Sequence, residues 1–305
     1  MVRKITADLH AHSTASDGEL SPSELVAKAQ KFGLKVLALT DHDTIDGLDE
    51  ALDAGLQNGF QVIPGVEVSL RFRRPFFVGS LHLLLYFSND LIAGKEFRDD
   101  LSTILKQGRG MPLIHERVRL INMEFGPGGK KPVLSRQLTT EEISSYGSNI
   151  TRRHFALTLK EKHGIDDPGL INEIIGNDSP AYVPSGIDME LLKPFFQKYP
   201  VVRIFAHPAA GSFPEPSHYR EVLPPLETVE KLLPEFLDKE ILGINGLEIF
   251  YPGHTKEHRE ILSGWAKKYG LLITGGSDYH DDVHRPFGVE GMTQEELDII
   301  LQRIG

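Results

Sequence analysis

The segment DLHAHS at positions 8 to 13 sets His10 and His12 two residues apart. On an extended backbone both imidazoles point to the same side, where two neutral ring nitrogens can share one metal ion. A lone His-x-His also occurs as exposed or hydrogen-bonded histidines, so its meaning depends on what else the chain gathers. The same kinds of side chain recur at other apolar runs. Asp41, His42 and Asp43 close VLALTDHD, Glu67 lies in VIPGVEVS, His207 follows VVRIFA, and Asp278 and His280 end LLITGGSDYH. Asp17, in the loop ASDGE, is within reach of the same place. In β/α barrels such strand ends converge on the catalytic face. Divalent ions held there about 3.5–4 Å apart acidify a water, neutralise phosphate oxygens and support in-line attack on phosphorus. Donors in this number exceed the four or so that close a structural zinc site.

Positioning these residues needs strands whose ends meet. Seven β-rich apolar runs are expected as strands: Lys4 to Asp8, Val36 to Thr40, Gln61 to Val68, Leu81 to Phe87, Val201 to Ala206, Gly246 to Phe250 and Leu271 to Thr274. Helical patterns alternate with them, so the fold class is α/β with a mainly parallel sheet or barrel. The first helix carries its own start and stop signals. Ser21 caps it, Pro22 opens it, Glu24 completes a capping box, and Leu25, Ala29 and Phe32 form a stripe that ends at Gly33. Further helices are expected over Asp46 to Asn58, Leu226 to Glu240 and His254 to Tyr269. His82 stands at the start of its run rather than the end. A hairpin with arms Val68 to Phe72 and Phe76 to Leu81, turning at Arg73, Arg74 and Pro75, would make His82 a neighbour of Glu67.

From about Ser88 to Lys198 the rhythm changes to successive helical segments, including Glu96 to Gln107, Leu113 to Met123, Thr140 to Ser145 and Arg152 to His163. The expected organisation is a barrel from residues 1–87 and 198–305, with residues 88–197 as an inserted helical domain. GPGGKKP at 126–132 reads as a flexible loop within it.

Composition narrows the chemistry. The chain has 305 residues, 13 histidines and no cysteine, which excludes disulfides and thiolate metal sites. A net charge of −10 argues against a broad basic face for long duplex nucleic acid. An anionic substrate is still compatible with it, because bound divalent ions focus a positive field in the cleft. No stretch has the roughly 20 apolar residues of a membrane span, and the N-terminus lacks a secretory signal pattern, so a cytoplasmic location is expected.

In order, DLHAHS, ASDG, TDHD, GVEVS, HLLLYF, AHP and GGSDYH resemble the polymerase and histidinol phosphatase (PHP) family of metal-dependent phosphoesterases. The resemblance covers roughly residues 1–87 and 200–285. It implies a distorted seven-stranded (β/α)7 barrel with two to three divalent ions, Mn first and Zn or Fe as alternatives. It implies the metal set His10, His12, Asp17, His42, Glu67, His82, His207, Asp278 and His280. TRRHFA at 151–156, Tyr182 and GLEIFYPGH at 246–254 resemble the nucleotide-directed members, which carry the helical insertion.

The expected activity is therefore hydrolysis of a nucleotide phosphomonoester, such as a nucleoside 3′,5′-bisphosphate, or 5′ to 3′ exonuclease trimming of short RNA, with the insertion as a lid. A phosphatase for a small metabolite such as histidinol phosphate is the alternative, and a non-catalytic metal-binding module is another. An amidohydrolase-like site would require a carboxylated lysine bridging the metals. No obligate protein partner is expected. Arg152 and Arg153 are the expected phosphate clamps, with His154 a companion, while Tyr251 either stacks on a base or packs the rim. Asp43 is the candidate general acid and His254 its competitor. Asp8, Asp41, Asp43 and Glu248 are expected to accept N–H bonds from ligating imidazoles. His115, His163, His218, His258 and His284 fit no part of the pattern and are expected at the surface.

Overall fold

A computed structural model describes residues 3–305 apart from 148, 218, 219, 221, 222 and 284. His218 and His284 thus lie outside the described residues. Seven strands form one sheet in sequence order: β1 (Ala7–Asp8), β2 (Val36–Leu39), β3 (Gln61–Arg74), β4 (Phe77–Tyr86), β5 (Val202–Phe205), β6 (Gly246–Phe250) and β7 (Leu272–Gly275). The expected seven are present, with β1 shorter at its start and β3 and β4 longer. Pairing is parallel except on either side of β4. The two edges approach closure: Leu9 N–H donates to Gly275 O at 3.2 Å, and Ala11 bridges Tyr279. The result is a nearly closed barrel.

The β3–β4 hairpin exists in a register close to the expected one. It turns at Pro75 and Phe76, with Arg74 paired to Phe77 and Ser69 opposite His82. Glu67, two residues from Ser69, lies on the same face diagonally across from His82.

Helix α1 (Pro22–Phe32) begins with the Ser21–Glu24 capping box and stops at Gly33, whose φ of +98° is the left-handed conformation that favours glycine. Leu25, Val26 and Ala29 are buried, whereas Phe32 is 55% exposed and departs from the expected stripe. α2 (Leu48–Asn58) follows β2. Alternate residues of β2 divide between two cores. Leu37 and Leu39 pack outward with Leu25, Leu48 and Ala51, and Val36 and Ala38 face the barrel interior with Ile63, Leu84 and Ile204.

Among the described residues seven α-helices follow β4 before β5: α3 (Asn89–Ala93), α4 (Lys95–Leu105), α5 (Met111–Phe125), α6 (Thr140–Ser144), α7 (Arg152–His163), α8 (Pro168–Ile175) and α9 (Lys193–Lys198). Residues 88–197 divide between two cores. Phe97, Leu101, Leu105, Ile187 and Phe195 join the outer barrel core, while Ile114, Val118, Phe125, Phe155, Leu159 and Ile174 form a third core of their own. After β5 come α10 (Leu226–Leu237), α11 (Lys256–Tyr269) and α12 (Gln294–Ile304). Leu297 and Ile300 of α12 pack against Val36, Val202 and Leu272, the first residues of their strands. That helix plugs the N-terminal end of the barrel, and the opposite end is left for chemistry. Among the described residues, no helix is long and apolar enough to cross a membrane.

Candidate metal centre

The expected ligand residues meet at the C-terminal end of the barrel. Their donor atoms form three overlapping groups, each with all atoms within 4.8 Å: His10, His12, Glu67 and Asp278; His12, Asp17, His42 and His280; and His42, Glu67 and His82. His207 completes the set, with Nε2 at 3.0 Å from Glu67 Oε1 and 3.3 Å from His82 Nδ1. Glu67 is the hub. Its Oε2 lies 3.3 Å from His10 Nε2, 3.3 Å from His12 Nε2 and 3.0 Å from His42 Nδ1, and its Oε1 lies 2.9 Å from His82 Nδ1. All are buried except His82, which is half-buried.

A protein-only interior is a poor home for such a cluster. His10 Nε2, both ring nitrogens of His12, Asp17 Oδ1, His42 Nδ1, Glu67 Oε2 and His207 Nδ1 are buried without a hydrogen bond. Each such atom costs roughly 1–3 kcal/mol, so the convergence is the geometry of ligands around ions rather than of a packed core. Six imidazoles and three carboxylates suit Mn, Zn or Fe alike. His10, His12, Glu67 and Asp278 would hold one ion, His12, Asp17, His42 and His280 a second, and His42, Glu67, His82 and His207 a third.

The loops that present these ligands are held by other buried groups. Glu248 of β6 pairs with His10 Nδ1 at 2.9 Å and accepts the His207 N–H at 2.8 Å, so it orients one imidazole and one backbone. Asp8 and Asp41 do not meet imidazoles as expected. Asp8 accepts from the N–H groups of His10 and Ser277 and from the Ser277 hydroxyl, stapling the β1 end to the β7 end, and burial pushes it up to about 6. Asp41 accepts from Ser13 N–H and from the hydroxyls of Ser13 and Ser16, fixing the loop that carries Asp17. Among the described residues three non-glycine residues adopt positive φ, namely Asp43 (51°), His207 (33°) and Asp278 (53°), and all three lie at this end of the barrel. Such strain persists where the surroundings over-determine it.

The two candidate proton donors are placed otherwise than expected. Asp43 accepts the Ser69 N–H at 2.7 Å on one oxygen and the Arg109 guanidinium on the other. Burial would raise its carboxyl, but Arg109 and the Ser69 N–H hold it below the usual range, so it is an ionised anchor without a proton to give. His254 is buried, accepts the Ala209 N–H on Nε2 and directs Nδ1 at Ile249 O. Burial pushes it down to about 3, which keeps it neutral, and its only N–H is spent on the backbone.

Tyr251 is 1% exposed and donates to Asp278 Oδ2 at 2.7 Å, so it positions a ligand residue and cannot stack on a base. Arg153 reaches across to Asp281 at 2.9 Å and Glu19 at 3.4 Å, beside His280 and Asp17. His154 caps α7 by accepting the Thr151 N–H and stacks on Tyr146 at 5.4 Å. Arg152 turns the other way, toward Asn177 and Tyr182 inside the insertion. Arg285 and Arg109 are additions that sequence reasoning missed. Arg285 pairs with Asp278, and Arg109 joins Asp43 and Ser69 to Ile150 O. Neither sits in a periodic pattern or a motif. Of the remaining histidines, His115 is exposed and His258 is half-buried in the α11 cap. His163 departs from expectation: its side chain is fully buried, with Nε2 3.4 Å from Glu142. No lysine is buried among the described residues, so the bridging lysine of an amidohydrolase-like site has no counterpart.

Burial opposes charge on His10 and His12, yet neighbouring carboxylates win. Glu248, Glu67 and Asp278 hold His10 well above the ordinary histidine value, and Asp278 and Glu67 raise His12 to about 9. Metal ions need neutral imidazoles, so loading the metal-free protein with Mn²⁺ near neutral pH is expected to release roughly one proton or more. Apparent affinity then increases with pH until His12 titrates. Calorimetry in buffers of different ionisation heat counts the protons, and a count of zero contradicts this assignment of charge.

The family model for the PHP domain matches residues 8–202. A 5′-3′ exoribonuclease of Haemophilus influenzae is 30% identical over 275 residues, covering 90% of this chain and 89% of its own. A 3′,5′-nucleoside bisphosphate phosphatase of Chromobacterium violaceum is 26% identical, covering 90% and 86%. A structure from Bifidobacterium adolescentis, provisionally named a metal-dependent phosphoesterase, superposes with a TM-score of 0.73 at 25% identity over 99% of this chain and 98% of its own. With the barrel, the match along most of its length and the histidine–carboxylate cluster in agreement, the chain belongs to the PHP domain family of metal-dependent phosphoesterases.

Proposed function

We propose that this phosphoesterase acts on nucleotides, releasing phosphate from a nucleoside 3′,5′-bisphosphate, trimming mononucleotides stepwise from the 5′ end of short RNA, or both at one site. The observation that carries the reading is the insertion laid over the cluster, an addition that hydrolysis of a small phosphomonoester does not require. Arg153 ties it to Asp281, Asn149 donates to His42 O, and Arg109 joins Ile150 O to Asp43. The similarity to an exoribonuclease and to a bisphosphate phosphatase over 90% of the chain points the same way.

In this reading residues 1–87 and 198–305 are the catalytic barrel and residues 88–197 the lid. Two to three ions, Mn²⁺ first and Zn²⁺ or Fe²⁺ as alternatives, occupy the nine-residue set. When bound they supply an activated water and neutralise phosphate oxygens. The chain does the rest. Glu248 and Tyr251 fix His10 and Asp278, Asp41 fixes the Asp17 loop, and Arg153 and His154 border the place where the substrate enters, His154 within electrostatic reach of Asp17 and His42. Lid contacts exclude bulk water, which strengthens each of these interactions.

The purified chain, loaded in turn with each ion, is to be tested on a nucleoside bisphosphate, a short 5′-phosphorylated RNA and histidinol phosphate. Chelator-sensitive release of phosphate, or of mononucleotides from the RNA, is expected, with kcat/KM on a nucleotide substrate at least about tenfold above histidinol phosphate, a difference of roughly 1.4 kcal/mol. Faster turnover of histidinol phosphate overturns the nucleotide reading in favour of a metabolite phosphatase.

A further inference from the structure

Two arginines of the insertion lie side by side, Arg117 buried and Arg152 half-buried, and among the described residues no acid stands between them. Arg117, on α5, is 8% exposed, and its Nε and Nη2 donate to one acceptor, Val183 O, at 3.0 and 2.6 Å. Arg152, the first residue of α7, donates from Nη2 to Asn177 Oδ1 at 2.7 Å and lies 5.4 Å from the Tyr182 ring centroid. Its Nη1 is buried without a hydrogen bond. Among the described residues neither forms an ion pair, whereas Arg74, Arg98, Arg119, Arg136 and Arg259 each meet a carboxylate. Burial, and then the charge of Arg152, push Arg117 down to about 9, which still leaves it cationic at neutral pH.

Burying two like charges without a counter-ion is costly. In a chain of net charge −10 there are acids enough to supply a partner, and among the described residues none is there. The two guanidinium groups line a narrow cleft with Phe155, Ile174 and Tyr182. Planar guanidinium forks suit phosphoryl oxygens, which accept paired, charge-assisted hydrogen bonds. Position adds to this. Arg117 lies within electrostatic reach of Arg109, which pairs with Asp43 next to His42, so the cleft neighbours a side chain that touches the metal centre's surroundings.

We propose that Arg117, Arg152 and Tyr182 form a subsite for a second phosphoryl group of the substrate, one that is retained while another is cleaved at the metals. This rests on the nucleotide reading and deepens it, since the subsite makes the enzyme prefer substrates with two phosphates.

The test uses the metal-loaded full chain with a nucleoside 3′,5′-bisphosphate and the matching 3′- and 5′-monophosphates. The bisphosphate is expected to exceed the better monophosphate by about a hundredfold in kcat/KM, the effect of two charge-assisted hydrogen bonds. Arg117→Gln and Arg152→Gln are each expected to cut that preference about tenfold or more, mainly through KM, with Arg152→Lys retaining part of it. Because the preference is a ratio within one preparation, a poorly folded variant lowers both rates and leaves the ratio standing. No preference in the wild type, or a preference that survives both glutamine substitutions, overturns the subsite. If no nucleotide is turned over, the function reading fails by itself, and titration of a nucleoside 5′-monophosphate still decides the subsite. Weaker binding by Arg117→Gln supports it and equal binding removes it. Comparing 5′-phosphorylated with 5′-hydroxyl dinucleotides shows whether an RNA end or a mononucleotide supplies the second phosphate.

Discussion

Glu67→Gln is expected to lower metal-dependent turnover on the order of a thousandfold, because a shared carboxylate ligand supplies several kcal/mol of organisation and each 1.36 kcal/mol is a factor of ten. The side chain faces two sets of donors with two different oxygens. Oε2 meets His10, His12 and His42, and Oε1 meets His82 and His207. Glutamine keeps the shape but replaces one oxygen with an NH2 group that donates and cannot ligate, and it removes a negative charge. Burial would push the Glu67 carboxyl up, yet His42, His82 and His10 hold it well below its usual range, so the charge is present at any working pH. Metal analysis of the purified variant is expected to show substoichiometric ion content alongside the lost rate. A variant with full metal content and wild-type turnover would remove Glu67 from the centre and dissolve the three-group arrangement with it.

The nine candidate ligand residues meet in the fold, and they stood out in the sequence because few residue types can hold a hard or borderline cation. Their placement at strand ends was legible because apolar runs announce strands. His82 shows how far such reasoning reaches. Only a hairpin could bring it to Glu67, and the hairpin is there, turning at Pro75 and Phe76 instead of Arg73 to Pro75. What could not be read was the work of side chains that reach across the fold. Arg109 and Asp43 are 66 residues apart and meet only once the insertion settles on the barrel, and Asp8 and Ser277 are 269 apart. A carboxylate near a ligating histidine in sequence invites the assumption that it orients the imidazole. Asp8, Asp41 and Asp43 instead hold backbone and loops, since a buried carboxylate takes whichever N–H groups the chain brings to it. The plug helix α12 went unexpected although Thr293 and Glu296 spell its capping box.

Gly276→Ala is expected to destabilise the fold by about 3 kcal/mol or more, since overpacking a site bounded by backbone leaves little room to relax. Gly276 follows β7 where the barrel edges meet. A Cβ there would stand 2.4 Å from His10 Cβ, 2.5 Å from His10 N and 2.8 Å from Asp8 Oδ1. The neighbours belong to the β1 end that Asp8 staples to Ser277, so relief means opening the closure and moving His10 away from Glu67 and Asp278. A fall in melting temperature of roughly 5 °C or more is expected, together with weakened metal binding. Gly264→Ala is the matched control. It lies exposed in α11 with no heavy atom within 4 Å of the added Cβ, and alanine in a helix interior is favoured over glycine by roughly 0.5–1 kcal/mol. The same chemical change should therefore move the melting temperature in opposite directions at the two positions. A Gly276→Ala protein that melts with the wild type would mean that the β1 and β7 ends do not close beneath the metal centre as described, and the ligands on either side of that seam would lose their common scaffold.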